Sequence, residues 1–170
     1  MRAVSAFVVG LVVVLLLRSS ALSAFAARGV VLDALAFAVV VWSLRHGPAW
    51  GASFGFALGI AADLDAAHWL GRHALVLTLI GYAIGRLAST LVRESARTQI
   101  ALLLVATAIH QSWAALFELS AWSAWPYLTL RIVLSTLVSA ALGAALLAVA
   151  RRVAGGPLFG KVSVQPGQTR

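Results

Sequence analysis

Four side chains able to hold a metal or a proton crowd into one short stretch: Asp63, Asp65, His68 and His73. Carboxylates and imidazoles together suit several divalent ions. A metal site needs them on one surface, and the Asp63-to-His68 spacing of five residues misses a single helix face. The stretch therefore reads as a turn at the end of a span, with caps and a water-facing edge, and no metal site is assigned. Asp33 and Asp63 raise a separate question. An ionisable residue at membrane depth is costly and marks function by default. Both stand near the ends of apolar runs, where a carboxylate pairs with Arg28 or Arg72, or else meets a partner or ligand. His110-Gln111 lies roughly in the middle of another apolar run and predicts an interhelical hydrogen bond. Arg131 is expected to snorkel outward or to pair with Glu118, and Arg86 to anchor a helix end.

No catalytic constellation accompanies these residues. The chain has no cysteine, which removes disulfides, thiolate metal sites and a Cys nucleophile. It has no G-x-S-x-G, no H-E-x-x-H and no phosphate-cradling G-x-x-x-x-G-K. Ser53 sits between Ala52 and Phe54, without the glycine flank an intramembrane serine protease would use. The expectation is a protein that is not an enzyme and carries no cofactor.

The elements that position these side chains follow from composition. The 170 residues are 62% apolar and 11% charged, with a mean hydropathy of +0.97. Soluble domains run at about 45–50% apolar and about 25% charged. Disordered chains have too little apolar surface to resemble this one. The remaining class is an all-α, polytopic membrane bundle. A span takes about 20 apolar residues, so the chain holds six at most and no separate soluble domain. The net charge of +8 belongs to span ends and lipid headgroups rather than to nucleic acid, because no basic cluster is interleaved with stacking aromatics.

Six spans are expected: Ala3–Leu17, Val30–Leu44, Ala49–Ala62, Ala74–Leu91, Ile100–Phe117 and Leu128–Ala150. The first, behind Met1-Arg2, has the pattern of a signal peptide, and Ala24-Phe25-Ala26 resembles a cleavage site. Retention is favoured, because six spans pack better than five and the charge asymmetry fits. Residues Ser19 to Ala27 then extend that helix or lie at the interface. Gly47-Pro48 breaks the chain between spans two and three. Trp122, Trp125, Pro126 and Tyr127 form an aromatic loop before span six. The transmembrane domain covers residues 1–152, and residues 153–170 are read as a flexible cytoplasmic tail. With the N-terminus inside, nine basic residues fall on the inner side and four on the outer. The positive-inside rule then puts both termini in the cytoplasm.

Gly51, Gly55 and Gly59 recur every four residues in span three, and Gly81 and Gly85 do so in span four. Such spacing draws a smooth stripe along one helix face and lets membrane helices approach closely. The stripe serves packing inside the bundle or against a partner's span.

One family shows this order of residues: Asp33; Arg45, Gly47 and Pro48; Gly51, Gly55, Phe56, Gly59 and Asp63; Gly71; Ala74 and Leu75; Tyr82, Gly85 and Arg86. The stretch resembles the rod shape-determining protein MreD family. The resemblance implies a non-enzymatic inner-membrane component of the bacterial elongation machinery. It implies binding to the bitopic protein MreC. Through it, MreB filaments would be linked to the wall synthase pair, the glycosyltransferase RodA and a class B penicillin-binding protein. It also implies a fold similar to the six-helix substrate-binding subunits of energy-coupling-factor vitamin transporters. The motif positions it marks are Asp33, Gly55, Gly59, Asp63 and Gly71, with a structural or partner-binding role. The alternative is a membrane substrate-binding subunit of a vitamin-type transporter, with Asp63, His68, Trp122 and Trp125 around a pocket.

Overall fold

The computed structural model describes residues 2–17, 33–66, 70–90, 95–117 and 125–154. They form six helices: α1 (Arg2–Leu17), α2 (Ala34–His46), α3 (Pro48–Ala66), α4 (Arg72–Thr90), α5 (Ala96–Leu116) and α6 (Trp125–Ala154). There is no strand among the described residues.

Each boundary has a local cause. The Asp33 side chain accepts from the Ala36 N–H at 3.0 Å and starts α2 as its N-cap. Gly47 ends α2 at φ +85°, donating its N–H to Ser43 at 2.9 Å. Pro48 opens α3 one residue later, where a missing N–H leaves no bond unmade. The Gly-Pro break expected there is thus a one-residue link.

Several expected bounds shift. Helix α3 continues through Asp63-Leu64-Asp65 to Ala66, and α5 begins at Ala96 rather than Ile100. The earlier start of α5 moves His110 out of the middle of its helix into the last two turns. Trp125, Pro126 and Tyr127 belong to the first turns of α6, not to a loop, because Pro is accommodated in a first turn. Helix α6 also runs past Arg152 to Ala154. The remainder of the expected tail, the segment Ser19 to Ala27, and residues His68, Glu118 and Trp122 lie outside the described residues.

Among the described residues, two helices are long and apolar enough to cross a membrane by length and composition, over Arg97–Leu116 and Leu128–Val149. Six such spans were expected. Helix α2 has 13 residues, about 20 Å at the α-helical rise, against about 30 Å of hydrocarbon. Helices α3 and α4 reach 19 residues each, but α3 carries Asp63 and Asp65 and α4 carries Arg72, His73 and Arg86.

Helix α2 is the central element and touches all the others. Leu35, Ala36, Val39, Val40 and Leu44 bury its inward faces. Phe54 and Leu58 of α3, Leu77 of α4 and Leu103 of α5 complete the core. Helix α1 packs one side on α2 and α3 through Phe7, which meets Trp42 and Phe54 edge-on at 5.8 and 5.4 Å. Its other side exposes Val4, Val8, Val9, Val12 and Val13. Helix α6 likewise exposes Leu130, Val133, Leu134, Leu137 and Val149. Apolar side chains facing outward along whole helices fit a lipid environment.

Helices α3 and α4 make the tightest contact. A methyl group added at Gly51 would lie 2.6 Å from the Gly81 carbonyl oxygen. One at Gly55 would strike the backbone of Leu77, and one at Gly59 the backbone of Ala74. Gly85 lies equally close against Pro48. The partners run in opposite directions, so the two helices form an antiparallel hairpin with main chain on main chain. Both glycine stripes are consumed inside the bundle, facing each other.

Candidate functional site

Asp33, Asp63, His73 and His110 meet at one end of the bundle, the acidic end. Asp63 is fully buried in the last turns of α3 and points across the hairpin at the start of α4. Its Oδ2 accepts from the N–H groups of Gly71 at 2.9 Å and Ala74 at 3.1 Å. Its Oδ1 accepts from the His73 N–H at 3.0 Å and from His73 Nδ1 at 2.8 Å. Asp63 thus caps a helix other than its own. The positive end of the α4 dipole and three otherwise unpaired N–H groups hold the negative charge in place.

Gly71 explains itself in this arrangement. Its φ of +95° is open to glycine and strained for other residues. That turn aims the Gly71 N–H at the carboxylate. Gly59 lets Ala74 and His73 come against α3 one turn before Asp63. Gly55 sits one turn further along the same seam.

Asp33 makes the second anchor. While Oδ1 caps α2, Oδ2 accepts from His110 Nδ1 at 2.6 Å. Gln111 Nε2 lies 3.5 Å from the same oxygen and donates to Ser135 Oγ at 3.0 Å. The Asp33 N–H donates to Ser139 Oγ at 2.9 Å, tying α2 to α6. The side chains of Asp33 and His110 are 3% and 7% exposed, so this pair is shielded from water.

Both carboxylates were expected near Arg28 or Arg72. Arg28 lies outside the described residues. Arg72 is not the partner of Asp63: its guanidinium lies 5.9 Å over the Phe117 ring. Backbone N–H groups at a helix start are already aimed at the carboxylate, whereas an arginine there stays nearer the surface. Arg72 Nε stands 3.4 Å from His73 Nδ1, but that nitrogen donates to Asp63 and does not accept. The Arg72 carbonyl takes the Trp113 Nε1–H at 3.0 Å, which joins α4 to α5.

The structure brings Asp33, Asp63, Gly59 and Gly71 to one end. It adds His73, His110, Ser135 and Ser139, which were not expected there as a group. A signal for the serines was present: Ser135, Ser139 and Gly143 recur every four residues in α6, as the glycines do in α3. The face they draw is turned inward, since a methyl on Gly143 would strike Leu103 and Phe37. Among the described residues, no group of three or more His, Asp or Glu is arranged to hold a metal ion.

The arrangement can do little covalent chemistry. Its hydrogen bonds join α2, α3, α4, α5 and α6, and its carboxylates are engaged in capping. The class is a helical, membrane-associated protein whose buried polar groups hold helices together. The family model for rod shape-determining protein MreD matches residues 1–148, and the chain belongs to that family. It is therefore a non-catalytic component of the bacterial cell-shape and elongation machinery. No curated protein and no solved structure matches the chain.

Proposed function

We propose that this protein is a multi-pass scaffold of the bacterial inner membrane that binds MreC. With MreC it helps link MreB filaments to peptidoglycan synthesis by RodA and a class B penicillin-binding protein. Both termini face the cytoplasm, and the acidic end with Asp33 and Asp63 faces the periplasm. In this reading Asp33, Gly55, Gly59, Asp63 and Gly71 build the scaffold's shape, and the partner contacts the surface that they hold in place. The proposed likeness to vitamin-transporter subunits is one of helix layout.

One observation carries the reading: the polar and glycine positions of the motif are spent on internal packing, while the faces of α1 and α6 stay apolar and open. A protein so built offers membrane surface, which suits a partner with a single span. The test is tagged purification in mild detergent followed by mass spectrometry of proteins and small molecules. Recovery of MreC or a wall-synthase component in near-equal amounts is expected. Recovery of a bound vitamin-like molecule or an ATPase module, without elongation proteins, overturns the reading.

A further inference from the structure

Two sides of the bundle present apolar belts of different height. On α4 the exposed side chains Leu75, Leu79 and Tyr82 lie between Arg72 and Arg86. At about 1.5 Å per residue, about 21 Å of helix separates those two arginines. Helix α3 gives a similar figure: exposed Trp50 and exposed Asp65 bound a stretch of about 22 Å. The belt of α6 is taller. Val133, Leu137, Leu142, Leu146 and Val149 are exposed along it, and about 32 Å of helix separates Arg131 from Arg152. Helix α6 packs on α5 and α2, so the tall belt and the short one lie on different sides. The aromatic side chains mark the level independently. Gly51 meets Gly81 across the antiparallel hairpin, which puts their exposed neighbours Trp50 and Tyr82 at one height. Trp and Tyr favour the membrane–water boundary, and Arg86 follows one turn beyond Tyr82.

Tilt does not reconcile the two belts. A hydrocarbon core of about 30 Å matches α6 and overshoots the hairpin by about 9 Å. Tilting the hairpin lowers its height further. Bringing α6 down to about 21 Å takes a tilt of about 48°, beyond the range of about 0–40° for membrane helices. Arginine side chains that reach outward lengthen both belts alike, so the difference remains. Charge inside hydrocarbon is costly, and a bilayer beside a short belt gives way by thinning.

We propose that the outer face of the α3–α4 hairpin is a lipid-binding surface that thins the bilayer, holding a hydrocarbon layer of about 21 Å while the α6 face holds one of about 30 Å. The inference rests on the multi-pass reading above. Lipid is the occupant because charged and interfacial side chains close the face at both ends. A partner helix of ordinary span laid there would press its own apolar ends against Arg72 and Arg86. Lipid chains shorten by disordering, which a helix cannot do. The surface therefore favours short or compressed acyl chains, and the protein is a wedge in membrane thickness.

The chain has no cysteine, so single introduced cysteines can each carry a spin label. The exposed sites are Leu70→Cys, Leu79→Cys and Leu87→Cys on the hairpin, and Leu130→Cys, Leu137→Cys and Val149→Cys on α6. The full chain is placed in dioleoylphosphatidylcholine vesicles. Electron paramagnetic resonance then reads each label's contact with oxygen, which concentrates in lipid, and with a water-soluble nickel chelate. Nickel is expected to reach Leu70→Cys and Leu87→Cys, with oxygen dominant at Leu79→Cys and at all three α6 sites. Leu70 and Leu87 are about 25 Å apart, so a uniform core of about 30 Å must bury at least one of them. Exclusion of nickel from either site overturns the proposal while the multi-pass reading stands. So does an α6 belt as short as that of the hairpin. Loss of oxygen contact at Leu79→Cys with spin–spin broadening assigns the face to a second copy and overturns lipid as the occupant. Nickel contact at Leu79→Cys overturns the proposal and the multi-pass reading together. If a hairpin variant fails to fold, Ala49→Cys and Leu64→Cys, exposed and about 22 Å apart on α3, put the same question.

Discussion

Replacing Gly55 by alanine tests the α3–α4 seam with a single methyl group. In an ordinary helix interior the change favours folding by about 1 kcal/mol, since glycine is the poorer helix former. Here the methyl points at the main chain of Leu77. Backbone cannot swing aside as a side-chain end can, so the two helices must separate. Separation at Gly55 also loosens the contacts of Gly51 with Gly81 and of Gly59 with Ala74. Overpacking costs about 1–3 kcal/mol, and a backbone obstacle puts this site at the upper end. The net loss is about 2 kcal/mol, which is about 30-fold in the folding equilibrium. Gly10→Ala is the control. Its methyl would meet the Trp42 ring at 3.2 Å, a side-chain edge that can give. The assay is reversible denaturant unfolding in mixed micelles, followed by tryptophan fluorescence. Gly55→Ala should unfold at markedly lower denaturant, and Gly10→Ala close to the unsubstituted protein. Equal stability of Gly55→Ala and the unsubstituted chain would refute the seam as described.

Other changes probe the acidic end and the membrane arrangement. Asp63→Ala leaves His73 and three N–H groups without their acceptor, and a loss of about 3–5 kcal/mol is expected in the same unfolding assay. Gly71→Ala must adopt a positive φ, and should lower stability by about 1–3 kcal/mol without altering helix content by circular dichroism. Ser139→Ala removes the acceptor for the Asp33 N–H; a loss of about 1 kcal/mol is expected, with faster amide exchange at Asp33. For topology, a phosphatase fused after Ala154 should be inactive, and one inserted between Ala66 and Leu70 active; the reverse pattern would invert the proposed orientation.

Much of the architecture was legible in the sequence, for local reasons. Glycines four apart must share a helix face, so the stripes of α3 and α4 could be read directly. That they face each other depends on how the hairpin closes, which no local pattern states. The Gly47-Pro48 break was equally local. The partner of Asp63 was misread because nearness in sequence favoured Arg72. Two partners of Asp33 lie 77 and 106 residues away, on His110 and Ser139. Span ends were misplaced because hydropathy counts apolar side chains, whereas helices continue until a cap stops them. Helix α3 therefore carries Asp63 inside its last turns, and α6 begins with Trp125-Pro126. The shortness of α2 has its own cause: Asp33 starts it as the N-cap, and Gly47 stops it.

The two carboxylates impose a timetable on biogenesis. Asp63 finds its partners within 11 residues, so the α3–α4 hairpin can close as soon as α4 has left the ribosome. Contacts so near in the chain form quickly, with little loop entropy to overcome. Asp33 waits far longer. Its oxygen is matched only when α5 delivers His110, and its N–H only when α6 delivers Ser139. Helix α2 is thus completed by α6. Until then the start of α2 lacks the partners that α5 and α6 bring to Asp33. A nascent chain truncated before α6 would hold a finished hairpin beside an α2 whose Asp33 N–H lacks its Ser139 acceptor.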